Sequence, residues 1–169
     1  MTFDIGEKVV YPNQGVGTIE NISTRNFGSQ YEQFYLLRLV YSSMTVMVPF
    51  STVGSIGLRR ITKTSDINRV LTYLSVGECH NFPDWKYRFK INTDKMQSGN
   101  LPQIAEVFKG LLILQGDKPL SFREKKMLER ARHMLVSEIS AARNSSPREA
   151  EQILRESLAK SHIALPEAA

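Results

Sequence analysis

The sequence predicts an α+β protein of two small domains: an antiparallel β-barrel followed by an all-α bundle of about five helices. Three observations carry this. Up to about residue 61 the apolar residues come in short runs broken by turn residues. From residue 62 they recur at helical spacing. The helical part also carries capping signals at most of its starts and stops. A chain of 169 residues has room for one sizeable core or two small ones. The change of period decides for two, 1–61 and 62–162, with 163–169, broken by Pro166, as a loose tail.

In the first domain the strands are expected at 8–11, 16–22, 34–41, 45–50 and 56–58. Pro12, Asn13, Gln14 and Gly15 break the first pair, Asn26 to Ser29 the second, and Ser42 and Ser43 the third. Several short antiparallel strands in so little chain suggest a barrel of the SH3 or Tudor kind, since closure removes exposed edges. Gly15 and Gly17 are read as permitting a tight turn and a bulge; Gly15-Val16-Gly17 is too short for a phosphate-binding loop.

In the second domain, Ile67, Val70, Leu71 and Leu74 mark a helical face ended by Gly77. A second helix begins near Pro83 or Trp85 and stops before Gly99, and a third starts at Pro102, a favoured first-turn proline, and ends near Gly116. The fourth and fifth open with capping boxes, Ser121 with Glu124 and Ser146 with Glu149. Leu128, Ala131, Leu135 and Ile139 form one apolar stripe; Ile153, Leu154 and Leu158 form another.

The apolar fraction of 41% and charged fraction of 23% are those of an ordinary folded protein. No apolar stretch approaches the ~18 residues of a membrane span, and the first ten residues have neither a basic leader nor an apolar signal core, so a cytoplasmic location is expected. Cys79 is the single cysteine, too few with His80, His133 and His162 for a structural zinc site, and no metal or cofactor is expected. Walker, dinucleotide, nucleophile-elbow and zincin motifs are absent. Cys79 and His80, adjacent in sequence, do not face each other on a regular element, so a loop thiol and no enzyme is the expectation. The net charge is +5. Residues 1–60 hold five basic and four acidic side chains and the remainder seventeen and thirteen, so the second domain is the better partner for a polyanion.

The segment Asn81-Phe82-Pro83-Asp84-Trp85-Lys86-Tyr87-Arg88-Phe89-Lys90 is the densest aromatic and basic mixture in the chain and holds its one tryptophan. On a helix Lys86 and Lys90 are neighbours beside Trp85, so the cations can take phosphates while the indole enters an opened base step, as in minor-groove proteins. The competing reading makes Trp85 an anchor of the helical core. The run Arg123, Lys125, Lys126, Arg130 and Arg132, mixed with glutamates, is either a solvated face or an extension of a phosphate-facing surface through Lys125 and Lys126. In the barrel, 45–50 is an uncharged strand ending in proline, either interior or an edge that awaits a partner. Strand-edge docking to another protein follows, with Arg25 as a charged rim contact.

These residues bring a family into view. Ile5-Gly6-Glu7-Lys8-Val9-Val10-Tyr11-Pro12-Asn13-Gln14-Gly15-Val16-Gly17 resembles the start of the CarD/CdnL transcription regulators, whose Tudor-like module is similar to one in the transcription-repair coupling factor. Asp84-Trp85-Lys86-x-Arg88, Asn92-x-Asp94-Lys95-Met96, Ala105-Glu106-Val107-x-Lys109-Gly110-Leu111 and Ala131-Arg132-His133-x-Leu135-Val136-Ser137-Glu138 resemble that family's helical domain. The resemblance implies a barrel that binds the β-subunit lobe of bacterial RNA polymerase and helices that meet promoter DNA, sequence-tolerantly, in the minor groove at the upstream bubble edge. It implies Trp85 as wedge, Arg88 and Lys90 as phosphate partners, and Arg25 as a polymerase contact. Met47 stands where some members have arginine, leaving an apolar contact through Met47 and Pro49. A stand-alone nucleic-acid binder and an adaptor whose helices touch only protein are the alternatives. Oligomeric state is left open, with a monomer favoured.

Overall fold

The computed structural model describes residues 2–167. The chain divides into two compact units, Met1–Ile61 and Thr62–Ala169.

The first unit is one antiparallel sheet of β1 (Lys8–Tyr11), β2 (Gly15–Phe27), β3 (Gln30–Leu39), β4 (Thr45–Pro49) and β5 (Arg59–Arg60), in the order β4-β3-β2-β1-β5. Gly15, at φ 93°, makes the turn between β1 and β2, and Gly17 lets the strand lie against Leu37, whose Cδ1 stands 2.7 Å from where a Cβ would be. The expected bulge is not at these glycines. It falls between Ile19 and Asn21, where the β2–β3 register shifts. One extra residue reverses the in–out alternation. Ile19 and Ile22, which an unbroken strand would point to opposite faces, therefore both pack on the core of Phe3, Val9, Tyr35, Leu37, Leu39 and Val48.

The strand expected at 56–58 is not formed. A 3-10 turn (Phe50–Thr52) and the short helix α1 (Val53–Ile56) occupy this stretch, and β5 follows. Gly57, left-handed at φ 83°, closes α1 by donating to the Val53 carbonyl at 3.1 Å, so that Val53 and Leu58 plug the core. A three-residue apolar run carries no period to separate the two outcomes.

Among the described residues the second unit holds five helices: α2 (Thr64–Val76), α3 (Trp85–Ser98), α4 (Leu101–Asp117), α5 (Phe122–Arg143) and α6 (Pro147–Ala159). Asp84, Asn100, Ser121 and Ser146 cap α3 to α6 with their side chains. The capping box is complete at Ser146 and Glu149 but not at Ser121, where the Glu124 carboxylate is drawn instead to Arg88. The core gathers Ile67, Leu74, Ile104, Phe108, Leu111, Leu135, Ile139 and Leu154.

Two of the buried charges, Lys109 and Glu138, tie segments of this unit together. Lys109 donates to the carbonyls of Tyr73 and Gly77 at 3.0 and 2.7 Å and to Ser161 Oγ at 3.2 Å, closing the C-terminus of α2 where orphan carbonyls and the helix dipole favour a cation. Glu138 accepts from the amide of Thr62 at 2.8 Å and from its hydroxyl, fastening the start of the unit to α5. Part of the stretch expected as a loose tail packs on this unit. Leu165 is buried against the core, and Arg132 donates to the Pro166 carbonyl at 2.6 Å. An apolar residue one step before the proline is what holds it there; the last two residues of the expected tail, 168 and 169, lie outside the described residues.

Candidate functional site

Two surfaces carry the candidate residues, one on each unit. On the first unit the pairing itself aligns them. Leu36 lies opposite Met47, Phe34 opposite both Pro49 and Ser23, and Glu32 opposite Arg25. Cross-strand partners point the same way and alternate residues share a face. Arg25, Met47 and Pro49 therefore stand on one face, turned from the core that Tyr35 and Val48 enter from the other. Arg25 is exposed on a strand, not in the expected turn, because β2 and β3 continue to a hairpin at Gly28 and Ser29. Met47 is 38% exposed and Pro49 half-buried, and β4 pairs only with β3, so it ends the sheet. Phe27 and Tyr31 add exposed rings near the hairpin tip.

On the second unit, Trp85 opens α3 behind the Asp84 cap and is 57% exposed. By spacing it belongs to the inner stripe of the helix, three, seven and eleven residues before the buried Arg88, Asn92 and Met96. That spacing is why a core role was legible. The ring nonetheless stays exposed at the first position of α3, while one turn further in Arg88 pairs with Glu124 in the first turn of α5. Lys86 Nζ stands 5.8 Å from the indole centroid, and Lys90 is exposed on the same helix. Phe82 and Tyr87, both exposed, meet edge to face at 4.8 Å.

Arg88, implied by the resemblance as a phosphate partner, is buried and engaged by protein groups. Its Nε and Nη2 donate to the two carboxylate oxygens of Glu124 at 2.9 and 3.1 Å, and its Nη1 donates to the Phe82 carbonyl at 2.9 Å. Each nitrogen has a partner, and both side chains of the pair are 6% exposed. Spacing placed a cation near the indole but could not show on which side of the helix an acidic partner would lie. Lys125 and Lys126, both exposed, diverge about a quarter turn around α5. Lys126 covers the exposed ring of Phe122 at 4.6 Å, whereas Lys125 borders a groove of about 510 Å³ whose apolar walls include Phe108, Leu112 and Val136. Arg123, absent from the expected site, lies over Phe89 at 5.8 Å and adds a cation where α5 meets α3. The signal for it was present in the basic run; its contact was not.

Cys79 is half-buried in the loop after α2, with its sulfur 3.0 Å from the Tyr73 hydroxyl. Burial first, then the thiol beside it, push the Tyr73 phenol well above its ordinary range, so it remains neutral. Among the described residues no helix is long and apolar enough to cross a membrane.

A Tudor-like sheet unit followed in one chain by a five-helix unit defines a two-domain class of protein. Residues 3–62 match the CarD-like/TRCF RID domain, and residues 69–155 match the CarD C-terminal domain. A Bacillus subtilis (strain 168) protein, the provisionally named transcription factor YdeB, is 38% identical over 137 residues, covering 81% of this chain and 90% of that protein. A solved structure, "CdnLNt from Myxoccoccus xanthus", is 43% identical over a match spanning 36% of this chain and 86% of that one, with a TM-score of 0.31. The chain belongs to the CarD/CdnL family, a class of transcription regulators.

Proposed function

We propose that the protein regulates transcription initiation by binding the β-subunit lobe of bacterial RNA polymerase with its sheet unit and stabilising the open promoter with its helical unit. The observation that carries this is the exposed indole of Trp85 with Lys86 and Lys90 on the same helix. An exposed ring with cations beside it can enter a partly unpaired base step in the minor groove while the ammonium groups meet neighbouring phosphates. Unstacking costs a few kcal/mol per step, and contact with the distorted duplex offsets it. At the edge of a transcription bubble the step is already open, so that cost is small and no sequence need be read. A factor that binds open promoter better than closed promoter shifts the equilibrium by that difference in affinity, and no nucleotide hydrolysis enters. The protein acts in the cytoplasm, on the nucleoid, wherever polymerase carries it.

The test is the lifetime of open complexes on a slow-opening promoter. Trp85→Ala shortens it several-fold and leaves the association with polymerase intact. A lifetime equal to that of the wild type defeats the wedge. Because Trp85 is the one tryptophan of this chain, its emission on a duplex with an unpaired bubble, without polymerase, also reports the contact. A stand-alone nucleic-acid binder would instead show strong, salt-steep DNA affinity without polymerase.

A further inference from the structure

We infer that Arg88 and Glu124 are positioning residues of the nucleic-acid face: together they fix the start of α3, and with it the placement of the Trp85 indole, and neither touches the nucleic acid. This rests on reading the Trp85 surface as the DNA contact.

The pair joins the first turn of α5 to α3, one turn inside that helix, through two parallel hydrogen bonds at 2.9 and 3.1 Å. A fork-to-fork contact of this kind fixes distance and angle together, which a single point charge cannot do. The guanidinium reaches further, to the Phe82 carbonyl at 2.9 Å, so the chain entering α3 is held by the same group. Glu124 Oε1 is also 3.4 Å from Ser121 Oγ, the cap of its own helix. Beside the pair, Arg123 lies over Phe89, a second tie between the same two turns. Trp85 lies three residues before Arg88 on the same helix, so a shift of the α3 start against the first turn of α5 would move the indole with it. The carboxylate is thus taken from the capping role that its spacing from Ser121 suits and joins the two helix starts instead.

The test compares the full-length chain and four variants on a labelled duplex with a short unpaired bubble, over a salt series, with Trp85 emission read in the free proteins. Glu124→Gln removes a negative charge beside a basic surface, so electrostatics alone predicts tighter binding. Positioning predicts affinity about tenfold weaker and an altered indole emission before any DNA is added. Arg88→Lys keeps the charge and loses the fork, and it is expected to weaken binding to a similar degree. The double variant Arg88→Met with Glu124→Met removes one charge of each sign, and an apolar pair of similar volume keeps such a site folded. It is expected to bind within about threefold of the wild type with an unchanged salt slope.

If Arg88 met phosphate, the double variant would lose about 0.9 from that slope, and Arg88→Lys would bind normally; either result overturns the inference. So does a Glu124→Gln protein that binds as well as the wild type with unaltered emission. Trp85→Ala serves as the separate control. If it binds the bubble as the wild type does, the wedge fails, while the emission of the free Glu124→Gln protein still decides the positioning claim.

Discussion

Lys109 shows at the scale of one residue how this chain uses a buried charge. Its ammonium group is enclosed and answers two carbonyls and one hydroxyl where α2 ends. Hydrogen bonds to a charged group contribute about 1.5–3 kcal/mol, and leaving buried acceptors unmet costs about 1–3 kcal/mol. Lys109→Met keeps the volume of the stem and removes the donors. Its expected destabilisation is about 3 kcal/mol, read as a fall in Tm on the order of 10 °C, with Trp85 emission in the native state unchanged. The Arg88–Glu124 pair is buried as well but lies at a surface of use. Removing one member is expected to cost about 3–5 kcal/mol, because the other is left uncompensated. The two sites therefore separate stability from placement: the first moves only Tm, the second moves Tm and the indole.

At the scale of elements, the bulge in β2 decides which side of the sheet Arg25 occupies. By restoring Ile22 to the core side it sends Asn21, Ser23 and Arg25 outward, beside Met47 and Pro49 across the ladder. Arg25→Glu is accordingly expected to weaken capture of polymerase, and Met47→Asp to weaken it further, since both alter one exposed face. Neither should lower Tm by more than a degree or two, as surface changes commonly move stability by less than about 0.5 kcal/mol. A pull-down that ignores both changes would discredit the docking face. In the helical unit the corresponding feature is the Arg88–Glu124 tie between the starts of α3 and α5, beside which a tryptophan of the inner stripe stays exposed.

At the scale of the whole molecule, each unit has its own hydrophobic cluster, and the division falls between Ile61 and Thr62. Separate cores allow separate folding. A fragment of residues 1–61 is expected to retain polymerase capture and to compete with the intact protein, shortening open-complex lifetime, because it occupies the lobe without supplying the indole. A fragment of 62–169 is expected to bind bubble DNA weakly and to have no effect at promoters at the same concentration. The intact chain gains from linkage: polymerase binding converts the weak DNA contact into an intramolecular one at high effective concentration. Sedimentation or calorimetric unfolding of the fragments checks their folding, and promoter lifetimes check the division of labour.

How much of this was legible follows from what each signal depends on. Periodicity and capping are local properties, so two domains, five helices in the second and the four long strands of the first could be read from residue types within a turn or a hairpin. The aromatic and basic mixture around Trp85, and the uncharged strand holding Met47 and Pro49, were legible for the same reason. Ile56 to Leu58 was misread because three residues have no period, and the burial of Leu165 was out of reach because it depends on partners more than fifty residues earlier, such as Phe108. The fate of Arg88 was equally out of reach: a guanidinium beside an indole looks the same in sequence whether its partner is a phosphate or a glutamate 36 residues away. Sequence alone determined the long strands, the helices of the second unit and which residues are chemically able to meet a polymerase and a phosphate backbone, since those depend on local spacing and charge. Tertiary structure alone decided which of them are free to do so, because the β2 bulge and the Arg88–Glu124 pair arise only when distant segments pack together.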